Sequence, residues 1–256
     1  MKQPIHFQID TARAFPKLLN APIVEAVIQW QAAPTKLFEE RKLSEELKRR
    51  FATFDCQALH EHQVEAEIDG AQHGMEVRQR SQWNGFRLTS ADQKYVCQFK
   101  SNTVIFSRLA PYEDWGQFVS AATPFWQTFL ELAAPVAVDR IGVRFISQVK
   151  LKDDEDASKY IVQSPSPLSN IGLSSETFFH KDSTEILGYP YRLNLVRVIQ
   201  PAQPPLVTCR SLIVDIDIVT TDTTPVESVE SRLQEMRFMK NLVFFTAMKD
   251  AETKFS

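Results

Sequence analysis

Apolar and polar residues alternate along several stretches of this chain and recur at helical spacing along others, and the two periods give an order of elements. In Pro22–Gln31, Val24, Ala26, Ile28 and Trp30 fall on one wholly apolar face, and Ile23, Glu25, Val27 and Gln29 fall on the other, which predicts a strand. Pro34 and Thr35 stop it and open a helix from Lys36 to Phe54, where Leu43, Leu47 and Phe51 make a narrow stripe on a charged surface. Alternation resumes in Gln63–Asp69 and Met75–Gln82. It continues through Phe86–Ser90, Tyr95–Lys100 and Thr103–Leu109 as a meander, with turns at Ala91–Asp92 and Ser101–Asn102.

A second helix is predicted from Glu113 to Ala134, carrying Trp115, Phe118, Phe125, Trp126 and Phe129 on one wide face, with Pro124 expected to kink or split it. This aromatic stripe reads as core packed on a sheet. Val138–Leu151 has the clearest strand pattern, with Ile141, Val143, Phe145, Ser147 and Val149 opposite Arg140, Gly142, Arg144, Ile146, Gln148 and Lys150. The acids of 153–156 read as a solvated turn or a helix start, and Ser164–Leu173 as loop. Thr177–His180, Tyr191–Ile199 and Ser211–Thr220 read as strands. Thr224, Pro225 and Glu227 read as cap, N1 and N3 of a last helix, whose stripe is Val229, Leu233, Met236, Lys240 and Phe244 and which ends near Met248.

This order predicts an α+β fold, a curved, mostly antiparallel sheet with long helices packed on one face. It is compatible with a duplicated β-α-β(n)-α unit, with residues 1–136 as one half and 137–256 as the other, within one compact domain. Sequence identity between the halves is not visible, so the repeat rests on element order.

Composition narrows the function classes. With 29 Lys and Arg against 32 Asp and Glu in 256 residues, the formal charge is -3, so no overall basic excess points to nucleic acid. No apolar run reaches the length of a membrane span, and the first residues lack the continuous apolar segment of a signal peptide, so a cytoplasmic location is expected. The 7 glycines are too scattered to build a dinucleotide or P-loop phosphate cradle. Cys56, Cys97 and Cys209 have no zinc-like spacing and read as free thiols.

Three stretches carry a resemblance. They are Leu19-Asn20-Ala21-Pro22-Ile23-Val24-Glu25-Ala26-Val27; Arg108-Leu109-Ala110-Pro111-Tyr112-Glu113 with Trp115 and Asp139-Arg140-Ile141-Gly142-Val143-Arg144-Phe145; and Val214-Asp215-Ile216-Asp217 with Met239-Lys240-Asn241-Leu242-Val243-Phe244-Phe245. In this order the chain resembles an uncharacterised prokaryotic family described as sporadically distributed. The tail after Phe245 is shorter than that family's. The resemblance implies a bacterial or archaeal cytosolic protein of an accessory system, defence or toxin–antitoxin linked, with no assigned catalytic residues.

Few residues assemble into chemistry by spacing. His60 and His62 flank Glu61 and share a side if extended, with His73 or Glu65 as a third ligand, but exposed histidines in a loop before a strand are the plainer reading. His6 and His180 stand alone. The polar strand faces say more. Arg140 and Arg144 flank Gly142, whose missing side chain leaves a gap between two guanidinium forks suited to a phosphate, a carboxylate or a partner's acid. Asp215 and Asp217, with Glu65 and Glu67, have the chemistry to hold Mg²⁺. Arg108 and Glu25 complete the binding candidates. The plain reading of these faces is a water-facing surface with cross-strand ion pairs.

The favoured reading is a non-enzymatic adaptor without a cofactor that recognises a partner protein, or a second copy, through its sheet and loops, with no membrane role. Nucleic acid is disfavoured because the polar face mixes acids with bases. The alternative is a Mg²⁺-dependent phosphohydrolase or nucleotide-binding protein using an acid- and arginine-lined groove.

Overall fold

Alternation in the first strand is realised in burial. Ala26, Ile28 and Trp30 are buried while Glu25, Val27 and Gln29 are half-buried, so strand β1 (Ile23–Gln31) has one face in the core. The computed structural model describes residues 7–69, 74–152, 155–162, 177–202 and 209–256, with the backbone alone for 62–69 and 74–80. Helix α1 (Glu40–Arg50) follows, then β2 (Phe54–Asp69), β3 (Gly74–Ser90), β4 (Tyr95–Phe99), β5 (Thr103–Leu109) and α2 (Trp115–Ala133). The second half contributes β6 (Arg140–Lys150), β7 (Phe178–Glu185), β8 (Tyr191–Gln200), β9 (Ser211–Thr220), α3 (Val229–Ala247) and the short α4 (Ala251–Phe255).

Among the described residues these strands form one antiparallel sheet in the order β2-β3-β4-β5-β1-β6-β9-β8-β7. The first strands of the two halves, β1 and β6, lie side by side, with Ile28 opposite Val143. On either side of that seam the order repeats: β1 pairs with the last strand of its own meander, β5, and β6 pairs with β9. The meanders then run outward to β2 and β7. The α+β architecture and the antiparallel sheet are therefore as the periodicities predict.

The helices bury one face of the sheet. Trp30 stacks on Trp126 at 5.5 Å between ring centroids, and Phe51 stacks on Phe125 at 3.9 Å. Aromatic side chains remove large apolar areas from water and prefer such offset or edge contacts, so they join α1 and α2 to the β1–β5 half. Ile141, Val143, Ile216 and Ile218 are buried beneath the second half's helices with Met236 and Met239 of α3.

Several boundaries differ from expectation. Helix α1 starts at Glu40 rather than Lys36, because the backbone N–H groups of Thr35 and Lys36 donate to the Ala133 carbonyl and hold that segment against the end of α2. The separate strands expected over 63–90 are the two long arms of one hairpin, β2 and β3, and His60 lies in β2 rather than in a loop. Gly85 makes the long β3 possible. It has φ of +127°, beside a register shift at Leu59 and His60, and a Cβ there would meet the carbonyl oxygen of Phe99 and lie 2.8 Å from Lys100 Cα.

Helix α2 is not split at Pro124. It runs from Trp115 to Ala133, while the Thr123 hydroxyl donates to the Val119 carbonyl at 2.8 Å and buried rings hold both sides of the proline. Nor is Thr224 a helix cap. Its backbone exchanges hydrogen bonds with Val138 at 2.8 and 2.9 Å, which keeps it extended, and a 3₁₀ turn at Val226–Ser228 leads into α3. Helix α4 was not anticipated; the Asn20 backbone N–H donates to the Phe255 carbonyl and ties the N-terminal segment to it. Of the acidic run, Asp156 accepts from the Ser158 backbone N–H at 2.7 Å and starts a 3₁₀ turn, while 153–154 and Ser164–Leu173 lie outside the described residues. No described helix is long and apolar enough to cross a membrane.

Candidate functional site

The sheet face opposite the helices brings together five of the residues singled out in the sequence. Glu25 on β1, Arg140 and Arg144 on β6, and Asp215 and Asp217 on β9 alternate with buried residues and so point away from the helices. In register Arg144 lies opposite Asp217, but its guanidinium reaches diagonally to Asp215. Nε is 2.9 Å from Oδ1 and Nη2 is 2.6 Å from Oδ2 of that carboxylate, a two-pronged pair. These bonds to Asp215, with the charges of Asp217 and Glu25 behind them, hold the guanidinium pKa above its ordinary value.

Asp217 behaves oppositely. Burial pushes its carboxyl up, and the amide of Asn194, which donates at 3.2 Å, together with Arg140 and Arg144, offsets that only in part. A carboxylate already gripped by one arginine and a second disfavoured in its charged form make a poor cation site. Among the described residues no three His, Cys, Asp or Glu side chains group where they could hold a metal. The gap expected at Gly142 is small, because a Cβ there would touch Gln29 Cβ and Val219 Cγ1 at 3.7 Å each.

Farther along the same face lies an apolar row that the sequence reading did not single out. Phe179 of β7 is opposite Val198 of β8, which is opposite Ile213 of β9. Phe179 is 70% exposed, and Ile213 is the next residue after Asp215 on that face. Strand alternation carried the signal, but only the register of three strands puts these residues in one row.

Arg108 does not join this face. It pairs in register with Ala26, which puts it among the helices, and it is 3% exposed. Both carboxylate oxygens of Glu113 accept from it, and its guanidinium lies 4.4 Å from the Tyr95 ring centroid. Its evident role is to fix the turn between β5 and α2. His60 is exposed, while the side chains of His62, Glu65 and Glu67, and the whole of His73 and His6, fall outside the described residues. His180 sits at a ring nitrogen 2.5 Å from the Arg197 guanidinium, beside Asp182. Cys97 is buried and its thiol pKa is pushed well up by desolvation.

A second feature lies on the helix side. The N-terminal segment, the entry to α2, the middle of β6 and one flank of α3 enclose a cavity of roughly 570 Å³. Phe15 stacks on Phe245 at 5.8 Å, and residues 15–18 form part of the lining. Lys240 of α3 projects inward, 9% exposed, with Nζ 4.1 Å from the centroid of the Phe145 ring. Burial, reinforced by the charge of Arg237, brings its pKa down to about 7. Three separate stretches of the chain reach this cavity, through Ala21 and Ile23, through Tyr112, Trp115 and Phe145, and through Lys240, Asn241 and Phe244. The signal in the sequence was a lysine on the apolar stripe of a helix. No protein-family model matches the chain, and no curated protein matches its sequence.

Proposed function

We propose that this chain is a non-enzymatic recognition protein that binds a partner protein through the open face of its sheet. The observation that carries the reading is the exposed Phe179 in line with Val198 and Ile213, on the same sheet face as the Arg144–Asp215 pair. An exposed aromatic with apolar neighbours, on the same face as an arginine, has the composition that protein interfaces favour. Glu25, Asp215 and Asp217 put acids at the middle of the same face, where they repel a phosphate backbone, so a protein partner suits it better than nucleic acid. The phosphohydrolase alternative needs a cation at Asp215 to displace a two-pronged guanidinium. The resemblance favours a partner from a bacterial or archaeal accessory system.

The test is a mild affinity purification from the native host with the wild-type chain, Arg144→Ala and Phe179→Ala in parallel. A stoichiometric protein held by the wild type and lost by both variants supports the reading. Co-purifying nucleotide without a protein, or a partner retained equally by all three, overturns it.

A further inference from the structure

We propose that the cavity between α2, α3 and β6 is a binding site for a small apolar carboxylic acid, with Lys240 as its counter-ion. The inference concerns the face opposite the proposed partner surface and does not depend on that surface.

The lining is chemically one-sided. Its rings, Phe15, Tyr112, Trp115, Phe145, Phe244 and Phe245, suit an aromatic or aliphatic body. Its cations are Lys17, Arg237 and Lys240, and none of them forms an ion pair among the described residues. The two acids at the rim are already engaged. Glu113 is held by Arg108, and Asp114 caps α2 by accepting from the Gln117 backbone N–H at 2.9 Å.

Lys240 makes no hydrogen bond or ion pair among the described residues. A buried ammonium is expensive unless a counter-charge accompanies it, and the Phe145 ring face compensates only in part. An unpartnered ammonium, neighbouring cations and an aromatic wall together select an acceptor-only head on an apolar body. A carboxylate meets this with one charge and two oxygens, whereas free inorganic phosphate brings more charge and no body for the rings. The volume, roughly 570 Å³, lies in the range of small-molecule pockets.

Binding should also move a proton. The titratable groups that line the cavity with Lys240 are Arg237 on its own helix, Lys17 from the N-terminal segment, and Tyr112, Glu113 and Asp114 from the entry to α2. Glu113 and Asp114 already have partners, so an arriving carboxylate is the acid that raises the lysine's proton affinity, and the complex takes up a proton above neutral pH.

Isothermal titration of the full chain with phenylacetate, octanoate, phenylacetamide and inorganic phosphate tests this. A body of about ten heavy atoms at ~0.3 kcal/mol per atom implies a Kd of several millimolar. Phenylacetate or octanoate should bind in that range. Phenylacetamide and phosphate should bind at least about tenfold more weakly, since a tenfold loss corresponds to ~1.4 kcal/mol. The heat at pH 8 should depend on the buffer's ionisation enthalpy in the sense of proton uptake. Lys240→Met, which fills the same space without the charge, should lose the carboxylate preference while remaining folded. No carboxylate binding, equal binding of phenylacetamide, or an unchanged preference in Lys240→Met overturns the proposal.

Discussion

The ammonium of Lys240 rests 4.1 Å from the centre of the Phe145 ring, in a position of the α3 stripe otherwise given to apolar side chains. Two elements packed for their hydrophobic faces thus hold a charge between them. The first prediction follows from its sign. A lysine whose folded pKa is about 7, below the unfolded value near 10.5, makes the unfolded chain bind more protons between those values. Stability therefore rises as pH increases through that window, at up to about 1.4 kcal/mol per pH unit for this group. Urea unfolding at pH 7, 8 and 9 should show the rise, and Lys240→Met should be more stable than wild type at pH 7 and lose that part of the slope.

Asp217 gives the mirror case. Its raised folded pKa means that the folded chain holds a proton the unfolded chain has released, so its contribution to stability declines as pH rises through the window between the two values. Asp217→Asn should raise Tm at pH 7 and flatten the acid side of the stability profile. An unchanged or lower Tm speaks against desolvation as the dominant influence on this carboxyl.

The Arg108–Glu113 pair should respond unequally to its two truncations. Glu113 is 40% exposed at the side chain and Arg108 is 3% exposed. Removing the acid strands a buried guanidinium, for which a loss of about 3–5 kcal/mol is expected, whereas Arg108→Met leaves a carboxylate that water can reach and should cost roughly half as much or less. Denaturant melts of Glu113→Ala and Arg108→Met decide the order, and equal losses speak against burial as its cause.

Gly85 should tolerate no side chain. Gly85→Ala combines a positive φ with backbone contact at the edge of β4, and a loss of roughly 2–4 kcal/mol is expected in equilibrium unfolding. Gly188 has φ of +81° but open space around its Cβ position, so Gly188→Ala should cost about 1 kcal/mol.

Arg144→Ala removes a pair whose arginine is half exposed, so solvent screening limits the stability loss to about 1 kcal/mol. A much larger loss of stability would give the pair a structural role beyond its place on the proposed partner surface.

What the sequence determined by itself was local. The two periodicities are set by strand and helix geometry, so the alternation of Ile141 to Val149 and the aromatic stripe of Trp115 to Phe129 located the elements and their buried faces. The same patterns put Glu25, Arg144, Asp215 and Asp217 away from the core before any pairing was known. Register, partner choice and enclosure were decided by the tertiary structure. Arg108 shares its strand row with Val104 and Phe106, and its place opposite Ala26 fixes that row to the helix side, where Glu113 meets the guanidinium. Phe179 lines up with Val198 and Ile213 only because β7, β8 and β9 lie side by side. The cavity around Lys240 draws residues from near both ends of the chain and from its middle, and no periodicity within one segment specifies how such distant segments enclose a space.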